Sequence, residues 1–131
     1  MATIAKSGTP SLASQTPPQT QQLAGLKAGE AIAAGDACYI KSDGKVWRST
    51  GAAVAAAAKV RGFAAEACAV GEAVTLYWDV EIRYGAGLTP GADYFLSVTA
   101  GALDDAATTG GTAPVAYAVD ATRVAVMRSR Y

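Results

Sequence analysis

The clearest alternation of hydrophobic and polar residues lies at residues 74–84. The apolar positions are Val74, Leu76, Trp78, Val80, Ile82 and Tyr84, and the positions between them are Thr75, Tyr77, Asp79, Glu81 and Arg83. A period of two puts the apolar set on one face of a β-strand, whereas a helix would scatter it. Such a strand would span about 35 Å, so we expect it to bend or bulge midway. This stretch is predicted to be the central strand.

Shorter segments with strand character lie on both sides of the central strand. Residues 35–41 and 46–49 are predicted to form a hairpin, because Asp43-Gly44 suits a tight turn that needs a positive φ. Further strands are predicted at residues 60–69, 93–99, 115–119 and 123–127. The alanine run at residues 52–59 could form two helical turns, although so short a helix is marginal without packing.

The two halves of the chain echo each other. Residues 35–44 resemble residues 91–101, and each stretch is followed by a short Gly/Ala strand, 62–64 or 116–118, and then by a Val-rich strand. Many short strands with glycine-rich turns and almost no helix indicate an all-β fold, either a small barrel or a sandwich.

The N-terminal 24 residues differ from the rest in composition. They are polar, carry no charge after Lys6 and contain three prolines, so we expect an extended arm (1–24) attached to a compact β domain (25–131). The arm is either a loose tail or a segment that orders against a partner, for example by adding a strand to a sheet edge. The candidate binding residues are Ile4, Thr9, Pro10, Leu12, Thr16, Pro17 and Pro18.

The core must rely on a few large side chains. Apolar residues make up 51% of the chain, but many of them are alanines, which bury little surface. The predicted core residues are Trp47, Phe63, Leu76, Trp78, Val80, Ile82 and Leu96.

Charge and composition argue against several classes of function. Lys plus Arg equals Asp plus Glu at 11 each, so no net field attracts nucleic acid or an anionic membrane. The chain has no histidine, which removes the commonest metal ligand and general base. We expect no cofactor, no membrane span and no signal peptide, and therefore synthesis in the cytoplasm. Cys38 and Cys68 are either small buried thiols or a disulfide pair.

No catalytic motif is evident, and we expect the protein not to be an enzyme. Asp79 and Glu81 lie two apart on one strand face like a glycosidase pair, but nothing nearby promises a raised pKa. Asp104-Asp105 offers too few oxygen ligands for a calcium loop. The basic C-terminal end is more typical of a solvated edge or of ion pairs, and it comprises Arg123, Arg128, Arg130 and Tyr131.

Three segments together resemble the lambda-type phage head decoration proteins. These are Val-Arg-Gly-Phe-Ala-Ala-Glu-Ala at residues 60–67, the central strand at residues 73–84, and Leu-Thr-Pro at residues 88–90. The strand openings Gly-Asp-Ala at Gly35 and Gly-Glu-Ala-Val at Gly71 are similar to those of the wider group of tailed-phage capsid cement proteins.

This resemblance implies a β-tulip or β-clip fold and a homotrimer, although a dimer stays open. It also implies a place on the outer surface of the virion, at three-fold positions, with the arm gripping the major capsid protein. The expected function is to stabilise the expanded capsid lattice. Two alternatives remain: a carbohydrate- or receptor-binding β-module of a virion fibre or cell surface, and a small hydrolase or carrier domain. An exposed aromatic platform would favour the carbohydrate-binding module, and Tyr77 is the main candidate for one.

Overall fold

The computed structural model describes residues 2–12 and 22–129. Within these ranges the chain forms eleven short β-strands and a single turn of 3-10 helix at Ala56–Ala58. The strands are β1 Ser11–Leu12, β2 Gln22–Lys27, β3 Ala37–Ile40, β4 Val46–Arg48, β5 Gly62–Ala64, β6 Ala73–Tyr77, β7 Val80–Arg83, β8 Asp93–Leu96, β9 Leu103–Asp104, β10 Ala116–Ala118 and β11 Arg123–Val126.

The strands make two sheets in which every pair of neighbours is antiparallel. One sheet has the order β1-β7-β11-β10-β8-β9, and the other has the order β2-β6-β5-β3-β4. The all-β prediction is confirmed, but neither sheet closes into a barrel. The predicted hairpin is present as β3 and β4, whereas the alanine run forms only the 3-10 turn.

The stretch predicted as one central strand is two strands in two different sheets. It breaks at Trp78-Asp79, where Asp79 has a φ of 56° and its N–H donates to the carbonyl of Val126 at 2.7 Å. A positive φ is unfavourable for most side chains but is tolerated by Asp. The break is sharper than the expected bend, and it carries the chain from one sheet to the other.

The echo in the sequence corresponds to a structural repeat. Unit 1 (β2 to β6, residues 22–77) and unit 2 (β7 to β11, residues 80–126) each order their five strands first-fifth-fourth-second-third. The connection after the first strand has nine residues in both units, 28–36 and 84–92. Gly35 and Gly91 hold equivalent positions, with φ of 86° and 81°. Their N–H groups donate to the equivalent carbonyls of Ala64 and Ala118 at 2.6 and 2.8 Å.

Two hydrophobic clusters form the core. The larger one lies between the sheets, where Ala37 and Phe63 of unit 1 meet the inner face of unit 2. The smaller one belongs to unit 1 alone and includes Ile32, Cys38 and Leu76. Strands β3 and β5 of unit 1 are therefore covered on both faces, and all three residues of β5 are buried.

The predicted core residues divide into two groups. Phe63, Leu76, Val80, Ile82 and Leu96 are buried. Trp47 and Trp78 differ from the expectation because they are only half-buried, and each presents its ring to a cation.

Lys41 Nζ lies 4.3 Å from the ring centroid of Trp47, and the Arg128 guanidinium lies 4.5 Å from that of Trp78. Each cation is attracted to the face of a ring that is not packed into the core. Large size alone did not place the tryptophans inside.

The two cysteines are free thiols rather than a disulfide. Cys38 is fully buried in the smaller cluster, while Cys68 is half-buried against it. Burial raises the pKa of both thiols, with Asp36 adding to the effect at Cys38 and Glu72 at Cys68.

Candidate functional site

The N-terminal segment is docked along unit 2. We call residues 2–12 the strap. The N–H of Ile4 donates to the carbonyl of Leu103 at 3.2 Å, and the N–H of Ser7 donates to the carbonyl of Tyr84 at 3.1 Å. Strand β1 then pairs with β7. The strap therefore bonds to β9 at one edge of unit 2 and to β7 at the other edge. Strand β2 begins at Gln22 and spans the boundary expected after residue 24.

The candidate arm residues occupy different environments. Ile4 is half-buried against the larger cluster, and Pro10 is buried against Gly35, whose missing side chain makes room for the proline ring. Thr9 is exposed, and Leu12 lies opposite Ile82 in the β1–β7 pair. The remaining three candidates, Thr16, Pro17 and Pro18, lie outside the described residues.

One ion pair anchors the strap to unit 1. Lys6 pairs with Asp36, whose side chain is only 3% exposed and whose second oxygen accepts the N–H of Ala33 at 2.8 Å. A buried carboxylate is costly without a cation, so Lys6 compensates for the burial of Asp36. Lys6 Nζ also lies 5.9 Å from the ring centroid of Tyr84. Burial raises the pKa of the Tyr84 phenol, and Asp36 adds to that effect.

Comparison of the units explains why the strap lies where it does. In unit 1, Ala28 forms a bridge with Val46, and the N–H of Gly29 donates to the carbonyl of Val46 at 2.9 Å, so the strand ends meet directly. In unit 2 the equivalent residues, Tyr84-Gly85 and β9, bond to the strap instead. We call the space between them the strand slot.

Glycine at position 85 lets the strap enter the slot closely. A methyl group added there would lie 2.5 Å from the carbonyl oxygen of Ala5. One side chain of unit 2 adds to these contacts: the carboxylate of Asp105 accepts the N–H of Ala2 at 2.7 Å, and this hydrogen bond lowers the pKa of the carboxyl. Residues 2–7 therefore fill the slot as an extended segment with one β-bridge, Thr3 to Asp104, and no strand of their own. The equivalence of Gly29 and Gly85 is the one sequence signal that could have indicated this slot.

Three of the four acidic residues considered for catalysis or calcium binding, Glu81, Asp104 and Asp105, have structural partners. Glu81 accepts a hydrogen bond from Arg123 at 2.7 Å, and Asp104 is buried beside the strap. Hydrogen bonds from Thr122 and Arg123 lower the pKa of Asp120. In residues 2–12 and 22–129, no cluster of three acidic or cysteine side chains is arranged to hold a metal ion.

An open cavity of about 310 Å³ lies on the outer face of unit 2, and Asp79, Glu81 and Tyr117 are among its lining residues. Tyr117 is 44% exposed. The exposed aromatic is thus Tyr117, whereas the expected Tyr77 is half-buried against the larger cluster.

The basic C-terminal end does not form one surface patch in the part described. Arg123 is paired with Glu81 and Asp120, while Arg128 stacks on Trp78. Arg130 and Tyr131 lie beyond the described residues. In residues 2–12 and 22–129, no helix is long and apolar enough to cross a membrane.

No protein-family description matches this chain, and no curated protein matches it by sequence.

Proposed function

We propose that this protein is a non-enzymatic decoration protein that binds the outer surface of an expanded phage head and stabilises its major capsid protein lattice. The residues that carry this proposal are those that resemble the lambda-type decoration proteins. The proposal includes assembly as a homotrimer on the virion after synthesis in the host cytoplasm. The β-tulip or β-clip type of fold remains part of the same prediction.

One structural observation supports the proposal. The polar, proline-containing stretch 13–21 is flanked by β1, which pairs with β7 in one sheet, and by β2, which pairs with β6 in the other. Both ends of this stretch are thus held by the β domain. A segment anchored in this way loses less entropy on binding a partner than a free tail would lose. Exposed Thr9 and residues 16–18 are the proposed contacts with the capsid.

Electron microscopy of the purified protein mixed with expanded empty heads tests the proposal. The full chain is expected to decorate the heads to saturation, because several copies on one lattice bind with added avidity. The variant carrying Thr16→Gly, Pro17→Ser and Pro18→Gly should lose most of its occupancy. Because these positions lie outside the strap, its contacts are left intact.

A matched control changes the same residue types elsewhere. Thr112→Gly with Pro114→Ser alters an exposed loop before β10 and should leave occupancy unchanged. Heads that stay bare with the full chain would refute the proposed function. Equal occupancy for the two variants would remove residues 16–18 from the binding surface.

A second candidate function, carbohydrate binding, is favoured by the outer face of unit 2. Exposed Tyr117 beside Asp79 and Glu81 offers an aromatic face and hydrogen-bond acceptors around an open cavity, a combination suited to a sugar ring. A glycan array would test it. Glycan binding by the full chain that is lost in the Tyr117→Ala variant would favour this function over capsid binding.

A further inference from the structure

The strand slot in unit 2 is filled by a segment that does not belong to the repeat. Unit 1 closes the equivalent place with its own Ala28-Gly29 and Val46, whereas unit 2 uses the strap. The contacts are mainly backbone hydrogen bonds, supplemented by Ile4 in the larger cluster and by Lys6 on Asp36. An identical strand from another chain could make all of these contacts.

The connection between the strap and β2 is longer than docking within one chain requires. Leu12 pairs opposite Ile82 and Gln22 opposite Tyr77, and five residue steps separate those two partners. Leu12 and Gln22, the two ends of the connection, are therefore at most about 28 Å apart: about 18 Å along the strand direction and about 10 Å for two interstrand spacings. The ten steps from Leu12 to Gln22 can extend about 35 Å. This connection exceeds what docking on its own unit 2 requires.

We propose that the strap is exchanged between copies of this protein, so that residues 3–7 of one copy fill the strand slot of a neighbouring copy and Lys6 pairs with that neighbour's Asp36. Exchange of an identical element keeps every contact and costs little. It links copies head to tail, and such contacts close into rings or extend as chains. The inference goes beyond the proposed function and is testable in solution without a capsid.

The protein concentration decides whether the strap docks in the slot of its own chain or in that of a neighbouring copy. Docking within one chain benefits from an effective concentration in the millimolar range for a short connection. Exchange therefore increases when copies are crowded to similar concentrations, as they are on any dense two-dimensional array. The prediction is a concentration-dependent population of linked copies with unchanged secondary structure.

A disulfide across the slot measures the exchange directly. Thr3 Oγ1 lies 3.2 Å from Ser97 Oγ, so the variant Thr3→Cys/Ser97→Cys places two thiols in contact. The half-buried native thiol is removed by Cys68→Ala in all samples. After mild oxidation over a range of protein concentrations up to about 1 mM, chosen to match the effective concentration of the connection, the chains are separated by size under denaturing, non-reducing conditions.

Covalent dimers and larger species that grow with concentration in the double variant, and are absent from both single-cysteine controls, would support exchange. Bands of monomer size alone at every concentration would overturn it. Any disulfide between two Thr3→Cys residues would also form in the Thr3→Cys single-cysteine control, which separates it from the disulfide to position 97.

A second test uses charge reversal in the full chain. Lys6→Glu and Asp36→Lys each create a like-charge mismatch within one copy, but mixing the two variants creates matched pairs between copies. The mixture is expected to form mixed oligomers by native mass spectrometry and to melt higher than either variant alone. The doubly substituted chain, Lys6→Glu/Asp36→Lys, restores the pair within one copy and is the control for folding. A mixture that behaves as the sum of its components, while this control folds, would overturn the proposal.

Discussion

Units 1 and 2 share strand order and turn glycines but differ in what covers them. Strand β5 of unit 1 is buried at all three positions, whereas its equivalent in unit 2, β10, buries Ala116 and Ala118 and exposes Tyr117. Unit 1 lies between its own small cluster and unit 2, so both of its faces are covered. Unit 2 is covered on one face by unit 1 and closed at its edge by the strap. The same strand arrangement therefore yields a central layer in one unit and an outer layer in the other.

The equivalent positions Phe63 and Tyr117 should show the largest contrast. Phe63 is fully buried, so Phe63→Ala is expected to lower the free energy of unfolding by about 3–5 kcal/mol through lost burial and a residual cavity. Tyr117→Ala should change it by about 0.5 kcal/mol or less, because the ring is partly in solvent. Urea denaturation of both variants measures the difference. Phe63→Leu, which keeps most of the volume, should fall between them, and equal losses for the two alanine variants would contradict the layer assignment.

The anchor of the strap should show an intermediate effect. Lys6→Ala leaves the buried carboxylate of Asp36 with only the Ala33 N–H, and we expect a loss of about 1–3 kcal/mol in unfolding free energy. The equivalent of Asp36 in unit 2 is Ala92, which needs no cation. Lys27→Ala, at an exposed site of β2, is the matched control and should be nearly silent.

A double-mutant cycle tests whether Lys6 and Asp36 stabilise the protein as a pair. Adding Asp36→Ala to Lys6→Ala should cost less than the sum of the single effects, since the unpaired charge is then gone. Additive losses by thermal or urea unfolding would show that the two side chains act independently.

Just above pH 9, alkaline pH should produce the smallest of these losses of stability. Burial raises the pKa of Cys38, in the core of unit 1, above its ordinary value of 9.0, and that of Tyr84, in unit 2, above 10.0. A raised folded-state pKa gives stability that is full below the unfolded value and is lost as pH rises past it. From about pH 9 the free energy of unfolding should fall, by no more than about 1.4 kcal/mol per pH unit for each group.

Urea unfolding between pH 8 and pH 10.5 measures this loss. Because the pKa of Cys68 is also raised from 9.0, Cys38→Ala/Cys68→Ala should delay its onset toward pH 10, where Tyr84 takes over. Tyr84→Phe should reduce the steeper part above pH 10. An unchanged profile in both variants would assign the alkaline loss to other groups.

Sequence patterns predicted the strands better than they predicted their assignment to sheets. The alternation continues in phase across Asp79, so the pattern at residues 74–84 could not reveal that β6 and β7 belong to different sheets. The repeat was detectable because Gly35 and Gly91 need the same positive φ in both units. Val98 continued the alternation of β8 but is 51% exposed, because the strand ends at Leu96.

The docking of the strap was the feature least predictable from the sequence. Counting large apolar residues gave few reasons for residues 2–12 to dock, since only Ile4 joins the larger cluster. The segment is held instead by backbone hydrogen bonds, by Pro10 on Gly35 and by a buried ion pair. Such contacts depend on partners remote in sequence, and no local pattern encodes them.

The position of the strap in the chain also sets an order of events during synthesis. Its residues leave the ribosome before their partners Tyr84, Leu103 and Asp105, which follow about 80 to 100 residues later. At roughly 5–20 residues per second, the strap waits on the order of 5–20 s for its binding site. The edge of unit 1 does not depend on that event, because Ala28 and Val46 close it within the unit. The strap is thus made well before the slot that holds it, and on a crowded polysome the slot that becomes available to it can belong to another nascent chain.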